Sequence, residues 1–414
     1  MNQAPVDQPL RLAVLCPHFA PDTAPTGEVI TRIVHELAAL GHELHVITAL
    51  PWYREHRLEV GWEGKWVRKE RTEWGSITRV NPFPGDDKRN LLRRAAGFAG
   101  FSALAGLTSL VGGRVDAVIA MSPPLTMGLT GWGTHLVRRG PLVFNIQDVF
   151  PDAAVETGAI TNNKIIAVAR WLERVSYQRS AAVTVLSDDL RDNVAAKVKA
   201  KYRDRVHVIP NFVDTEFIRP ADRITDLRRE LGIGEEPVVL YAGNVGFSQS
   251  LEMVVDAAAE FPHATFLING DGAARSTLER RASHLPNVRF SGYQPKARVP
   301  EVLATGDVHL VPLKRGLGRV SVPSKTYSIL AAGRPVLAAI DPGTEVPRML
   351  AASGGGLAVA PDDPTAFIDG LRTLLSDLPA AQAMGAAGRE WVLGAASPAA
   401  VAMAYERLVR SLRR

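Results

Sequence analysis

The segment 314–336, KRGLGRVSVPSKTYSILAAGRPV, contains a lysine at a position where a helix disfavours positive charge. Pro323 and Ser324 precede a short helical pattern over 325–332, and Ser324 can act as its N-cap. Lys325 then lies in the first helical turn, where a cation opposes the helix dipole. An anionic ligand such as a diphosphate would compensate for this, so we interpret Lys325 as a ligand-binding residue. A solvated surface lysine is the alternative.

Three glycine-containing loops could bring backbone N–H groups to a phosphate: PTG at 25–27, YAGNVG at 241–246 and INGDG at 268–272. Glycine permits close backbone approach, and helix N-termini attract anions. None of these loops has the dinucleotide-binding or P-loop spacing, which argues against an oxidoreductase or a kinase. A tight turn is the alternative for each loop. Two loops at strand ends of one domain favour ligand contact, and the candidates there are Gly243, Asn244, Gly246, Gly270 and Asp271.

A polar cluster ends the predicted strand at 142–146 in the first half of the chain. Asp148 and Asp152 follow that strand in the sequence NIQDVFPD. Carboxylates at a strand end can orient sugar hydroxyls or act as bases. Helix capping and closure of a turn are the alternative roles.

Short apolar runs alternate with amphipathic segments along the whole chain, which is typical of βα units. Strands are predicted at 11–16, 43–49, 115–120, 142–146, 181–186 and 206–210, and then at 237–242, 264–268, 287–290, 307–311 and 335–340. This pattern predicts two doubly wound α/β domains. Ligands of such sheets bind outside the carboxyl ends of the strands, so we expect a site in the cleft between the domains.

The composition excludes several classes of protein. The chain has 414 residues, a net charge of +5, 7% aromatic residues and one cysteine. The lone Cys16 cannot form an intramolecular disulfide, and the N-terminus lacks the basic start of a signal peptide, so we expect a cytoplasmic protein. The charge excess is too small to indicate nucleic-acid binding, and no cluster of metal ligands is evident. We therefore expect no metal, no cofactor and no nucleic-acid partner.

The first seven residues of the segment 88–112, KRNLLRR, include four basic ones. The 18 residues that follow, 95–112, are uncharged. Such a segment suits either a buried helix of the N-terminal domain or an interfacial helix at an anionic membrane. It is barely long enough to span a bilayer.

Several motifs together resemble the retaining glycosyltransferases of family 4, which have the GT-B fold of two Rossmann-like domains. They are VIPNFVDTEF at 208–217, YAGNVG at 241–246, INGDG at 268–272, VRFSGYQP at 288–295 and AAGRPV at 331–336. NIQDVFPDAAVETG at 145–158 and VPSKTYSILAAGRPVLA at 322–338 resemble the colanic-acid and O-antigen branch. Members of that branch build bacterial surface polysaccharide on a lipid carrier.

The resemblance implies an acceptor-binding domain at 1–215, a donor-binding domain at 216–395 and a helix at 396–414 that returns to the first domain. It implies a nucleotide-sugar donor, usually UDP-linked, and a saccharide or lipid-linked acceptor. Peripheral contact with an anionic membrane through 88–112 and a place at the inner face of the cell membrane fit this role. The matching positions place Gly27, Gly243, Asn244, Gly246 and Lys325 near the donor phosphates, and Gly292 and Tyr293 near the base. Gly270, Asp271, Pro323 and Ser324 are further candidates for donor binding.

The sequence departs from the family pattern at the Glu-x7-Glu motif, where Val320 and Ser328 stand instead. Ser328 is thus the candidate at the ribose position. Gln147 replaces a frequent histidine, which leaves Lys325 and Asp148 as the catalytic candidates and no obvious general base. In a retaining front-face reaction, the departing phosphate oxygen can take the acceptor proton. We therefore predict a glycosyltransferase, with a GT-B nucleotide-sugar epimerase or a non-catalytic nucleotide-sugar-binding protein as alternatives.

Overall fold

The computed structural model describes residues 8–53, 57–83, 91–147, 149–152, 162–318 and 322–413, with only the backbone for 91–96. These residues form two compact units. The first unit comprises 1–211 together with 401–414, and the second comprises 212–400.

The first unit is built on an eight-stranded sheet. Its strands are β1 (Arg11–Leu15), β2 (Glu43–Ala49), β3 (Val67–Thr72), β4 (Gly75–Val80), β5 (Ala117–Ser122), β6 (Leu142–Ile146), β7 (Ala182–Val185) and β8 (Val206–Val208). They lie in the order β3-β4-β2-β1-β5-β6-β7-β8, and all neighbours are parallel except β3 and β4. The accompanying helices are α1 (Pro25–Ala39), α2 (Leu91–Ser109), α3 (Thr126–Arg138), α4 (Asn163–Arg179) and α5 (Asp188–Lys197).

The second unit is built on a six-stranded parallel sheet. Its strands are β9 (Val238–Ala242), β10 (Thr265–Asn269), β11 (Val288–Ser291), β12 (Val308–Pro312), β13 (Val336–Ala339) and β14 (Gly356–Val359), in the order β11-β10-β9-β12-β13-β14. Its helices are α6 (Asp226–Glu230), α7 (Leu251–Ala257), α8 (Arg275–Arg281), α9 (Val299–Thr305), α10 (Lys325–Ala331), α11 (Glu345–Ser353), α12 (Pro364–Ser376) and α13 (Leu378–Ala395). The last helix of the chain is α14 (Pro398–Ser411).

The structure confirms the predicted doubly wound α/β architecture in both units. Three strands that the pattern analysis did not predict are β3, β4 and β14. The burial of β3 alternates between exposed and half-buried residues, because it is an antiparallel edge strand with the polar sequence VRKERT. Such a strand lacks the continuous apolar run that reveals a central parallel strand.

Helix α2 covers most of the segment 88–112, and one of its sides packs into the first unit. Phe101, Ala105 and Ser109 are buried, whereas Leu107 and Val111 have exposed fractions of 66% and 67%. Residues 88–90 lie outside the described part of the chain. In the described ranges, no helix combines the length and apolar character needed to cross a membrane.

The end of helix α14 belongs to the first unit, where a buried tyrosine fastens it to the sheet. The amide of Asn145, at the end of β6, donates to the Tyr405 hydroxyl at 2.7 Å and to Thr184 Oγ1 at 3.1 Å. Gln147 donates in turn to Asn145 Oδ1 at 2.7 Å. Polar residues of β6 and β7 therefore hold the last helix in place.

A buried carboxylate joins two central strands at the amino edge of the second sheet. Asp307 precedes β12, and its Oδ2 accepts from the N–H of Val238 at 2.8 Å and from Arg228 at 2.6 Å. Its Oδ1 accepts from Arg223 at 2.7 Å. Burial opposes ionisation of Asp307, but these hydrogen bonds and the two guanidinium charges hold its pKa below the usual value.

We predict that Asp307→Asn lowers the free energy of unfolding of the second unit by about 3–5 kcal/mol, because it leaves buried guanidinium charge uncompensated. Urea denaturation measures the change. Asp256→Asn is the matched control, because its ion pair with Arg281 is roughly half exposed (53% and 47%) and such pairs contribute about 0–1 kcal/mol. Equal losses in the two variants would contradict the role given to Asp307.

Candidate functional site

Two glycine loops at the carboxyl edge of the second sheet pack backbone against backbone. The Gly243 N–H donates to Asn269 O, and the Val245 N–H donates to Asp271 O, both at 2.9 Å. Gly270 has φ of +141°, and a Cβ there would lie 1.9 Å from Gly243 O. Only glycine fits this position, so the close contact between the loops after β9 and β10 depends on it.

Lys325 projects from the first residue of α10 toward the same loops. Its ammonium lies 3.8 Å from the centroid of the Tyr241 ring, and a Cβ on Gly243 would lie 2.9 Å from its Nζ. The Tyr241 hydroxyl donates to Asn244 O at 2.6 Å, which fixes the ring beneath the ammonium. Tyr241, which the sequence analysis did not single out, thus supports both the lysine and the glycine loop.

Burial removes water from the Lys325 ammonium and lowers its pKa from 10.5 to about 7. Among the residues that the structure describes, no carboxylate forms an ion pair with it; the aromatic face of Tyr241 is its compensation. A desolvated cation of this kind would be stabilised by a bound anion. The half-burial of Lys325 and the position of its ammonium over Tyr241 favour the ligand-binding interpretation over a solvated surface lysine.

Lys325 and Gly243 lie on opposite sides of the point where the strand order reverses. From β9, the sheet continues through β10 to β11 on one side and through β12 to β14 on the other. Gly243 follows β9, and Lys325 follows β12. Ligands of open α/β sheets bind in the crevice at this reversal, outside the carboxyl ends of the strands.

Further residues at the same edge lie in the loops after β9, β10 and β11. Asp271 and Tyr293 are exposed and joined, because the Tyr293 hydroxyl donates to Asp271 O at 3.2 Å. The carbonyl of Gly292 accepts from Asn269 at 2.9 Å. The N–H of Gly246 is occupied by Gln249 Oε1 at 3.1 Å. The backbone N–H of Gly246 therefore bonds within its own loop.

The structure corrects the predicted cap of α10. Ser324 occupies the N-cap position, but its hydroxyl accepts no hydrogen bond from the helix. Its backbone is already helical, with φ of −57° and ψ of −23°, whereas a capping serine is usually extended. The carbonyl of Pro323 instead accepts from the Thr326 N–H at 3.0 Å. Ser328 lies one turn further along α10 and is half-buried.

Gly27 lies in the first unit, in the first turn of α1, so the predicted loop before this helix is wrong at Gly27. A Cβ on Gly27 would lie 2.8 Å from the Cβ of His18. His18 and Asp22 form a pair with Nδ1 and Oδ2 at 2.7 Å, which the sequence analysis missed. Their spacing of four residues in the loop that leads to Gly27 was the available signal. Asp148 lies outside the described residues.

Both halves of the chain match models of glycosyltransferase domains. Residues 26–211 match the glycosyl transferase 4-like domain, and residues 236–377 match glycosyl transferases group 1. The chain is 28% identical over 383 residues to the putative colanic acid biosynthesis glycosyl transferase WcaI of Escherichia coli, covering 88% of this chain and 92% of the relative.

Solved structures share the fold at low sequence identity. Sucrose-phosphate synthase from Thermosynechococcus elongatus superposes with a TM-score of 0.65 at 18% identity, covering 97% of this chain and 99% of the other. Anabaena HepE in complex with UDP superposes with a TM-score of 0.64 at 14% identity, covering 97% and 100%.

The two domain matches identify the chain as a glycosyltransferase, and its two doubly wound units have the GT-B fold. More particularly, the chain belongs to the family 4 glycosyltransferases, with a 4-like first domain and a group 1 second domain.

We predict that Lys325→Met raises the melting temperature of the free protein at pH 6. The native lysine is charged there and bears its full desolvation cost, whereas methionine bears none. The gain should shrink as pH rises from about 7 toward 10.5, because the folded lysine is then neutral while the unfolded one still binds a proton.

Thermal denaturation across this pH range tests the prediction, at about 2–4 °C for each kcal/mol in a domain of this size. Lys314→Met is the matched control, since Lys314 is exposed in the same segment. A fall in the melting temperature of the Lys325 variant at pH 6 would show that the charge is compensated in the free protein.

Proposed function

We propose that this glycosyltransferase moves a sugar from a UDP-linked donor to a saccharide or lipid-linked acceptor of bacterial surface polysaccharide. The second unit would hold the donor and the first unit the acceptor. The observation that carries the proposal is the desolvated ammonium of Lys325 beside the Gly243 loop, at the strand reversal of the second sheet.

The chemistry of the leaving group explains why such a lysine would serve transfer. When the bond from the anomeric carbon to the donor breaks, the electron pair leaves on the nucleoside diphosphate. An ammonium with its water already removed meets this growing charge without reorganisation, and one such donor contributes about 3–4 kcal/mol in comparable sites. The proposal calls for no metal or other cofactor, because Lys325 supplies the positive charge.

Two similarities support the choice of donor and product. The relative from Escherichia coli is described as a colanic acid biosynthesis enzyme, and the HepE structure contains UDP. The resemblance to retaining enzymes supports transfer with retention of the anomeric configuration.

We predict that Lys325→Ala loses more than a hundredfold in turnover and remains folded. The assay is UDP release from UDP-glucose, UDP-galactose and UDP-N-acetylglucosamine, accompanied by calorimetric binding of UDP, GDP, dTDP, ADP and NAD. The intact protein should prefer one nucleoside diphosphate over NAD.

Lys314→Ala is the matched control and should retain full activity. Near-normal turnover in Lys325→Ala would refute the role of this lysine, and a preference for NAD would refute the proposed donor class.

We also propose that the segment 88–112 contacts anionic membranes, because it joins a basic start to the exposed Leu107 and Val111. The predicted result is salt-sensitive sedimentation with phosphatidylglycerol vesicles, weakened at least tenfold by Leu107→Asp combined with Val111→Asp. Val168→Asp is the control, because Val168 is 64% exposed on α4. Absence of binding, or its loss only in the Val168 variant, would contradict contact through 88–112.

A further inference from the structure

A cavity of about 250 Å³ lies at the amino edge of the first sheet, where helices α2 and α3 end. Ligands of open α/β sheets bind at the carboxyl edge, so this cavity is at the opposite end of the strands. Strands β1, β2, β3 and β4 contribute to its walls. Its lining includes four basic residues and two hydroxyls: Arg11, Lys69, Arg71, Arg138, Ser76 and Thr78.

The register of the strands places these polar side chains on one face of the sheet. Arg71 of β3 lies opposite Ser76 of β4, which lies opposite His45 of β2. Lys69 lies opposite Thr78 in the same way. Residues opposite each other in neighbouring strands point to the same side. The 3.0 Å contact between His45 Nδ1 and Ser76 Oγ agrees with this, so basic and hydroxyl groups from several strands face one space.

Arg138, the last residue of α3, is the buried cation of this cavity. Its exposed fraction is 3%, and its Nε donates to the carbonyl of Gly113 at 2.9 Å. Its Nη2 packs against Gly112, which also lines the cavity. Within the part of the chain that the structure describes, its two terminal nitrogens have no hydrogen-bond partner and no carboxylate pairs with it. A guanidinium in this state is stabilised by a bound anion.

The neighbouring charges do not neutralise Arg138. Burial and the positive charge of Arg11 lower the pKa of Arg138, and the carboxylate of Glu43 opposes this only in part. Glu43 is 48% exposed and already contacts Arg11 at 3.3 Å. Glu70, which also lines the cavity, pairs with Arg79 at 3.1 Å. The nearby carboxylates are therefore committed to other cations.

We propose that this cavity binds a phosphate monoester, with Arg138 as the buried donor and Lys69 and Arg71 as exposed donors. Neither Lys69 nor Arg71 forms an ion pair with any residue in the described ranges. A monoester carries a charge of about −1.5 to −2 at neutral pH and offers three acceptor oxygens, which suits donors that arrive from several elements. All of these residues belong to the first unit, so the site goes beyond the proposed function and does not involve the donor loops.

Two sources carry this chemical group: a soluble phosphate ester and the headgroup of an anionic lipid. Val111 lines the cavity and is 67% exposed, and Leu107, four residues earlier, is 66% exposed. An apolar surface that could meet lipid chains therefore borders the phosphate site. The probes below distinguish the two sources.

Calorimetric titration of the intact protein with glycerol 3-phosphate measures binding of the soluble ester. Sedimentation with phosphatidylcholine vesicles that contain phosphatidic acid measures binding of the lipid headgroup. Saturating UDP is present in both measurements, so that the proposed donor site is occupied. Glycerate, which carries a carboxylate in place of the phosphate, should bind about tenfold or more weakly than glycerol 3-phosphate.

Two cavity variants test the assigned residues: Arg138→Gln, and Lys69→Gln combined with Arg71→Gln. Each should weaken binding of the phosphate probe by about tenfold or more, because charged donors are lost. The double variant changes only exposed residues of an edge strand, so it decides the result even if Arg138→Gln unfolds. Arg139→Gln is the matched control, since Arg139 is exposed and does not line the cavity. Leu107→Asp should weaken vesicle binding alone.

The outcomes separate the sources and the two proposals. Binding of glycerol 3-phosphate that the cavity variants weaken identifies a soluble ester, and equally sensitive binding of vesicles alone identifies a lipid headgroup. Absence of both, or equal affinity in the intact protein and the double variant, would overturn the site. Equal affinity for glycerate would overturn the choice of phosphate. Failure to bind UDP would overturn only the proposed function, and melting temperatures show which variants are folded.

Discussion

The proposed donor site depends on a half-buried cation, Lys325, that has no carboxylate partner among the residues that the structure describes. The face of Tyr241 lies 3.8 Å from the Lys325 ammonium, and Tyr241 stays there because its hydroxyl is bonded to the Gly243 loop. That loop is in turn locked to the next one at Gly270, where a side chain would collide with the backbone. The position of the Lys325 charge therefore depends on the backbone contact between Gly270 and Gly243, which only glycine permits.

Buried charged groups have different kinds of partner at different places in the two units. In the second unit, Asp307 is paired with guanidinium groups at the amino edge of the sheet, whereas Lys325 at the carboxyl edge has an aromatic partner and, within the described ranges, no carboxylate. In the first unit, the buried carboxylate of Asp22 contacts the imidazole of His18 at 2.7 Å. Complete pairing marks the edge that stabilises the fold, and incomplete pairing marks the edge that can meet a ligand.

The architecture and the glycine loops after β9 and β10 were predictable from sequence, because central parallel strands and strand-end glycines leave local signals. Lys325 was predictable for a related reason, since it opposes the dipole of its own helix. The support from Tyr241 and the pairing of His18 with Asp22 were not foreseen. The first depends on a contact between residues far apart in the chain, and the second requires a loop geometry that spacing alone does not give. The polar edge strand β3 was missed because its stability comes from its antiparallel neighbour β4.

The bonding of Tyr405 to Asn145 and Thr184 has a consequence for the covalent layout of the molecule. The first unit is assembled from two separated stretches of chain, 1–211 and 401–414, whereas the second is one uninterrupted stretch, 212–400. Removing the final helix would therefore uncover polar groups in the sheet of the first unit, far along the sequence from the cut. Because the second unit is one continuous stretch of chain, residues 212–400 could be produced as a separate protein and titrated with nucleotides.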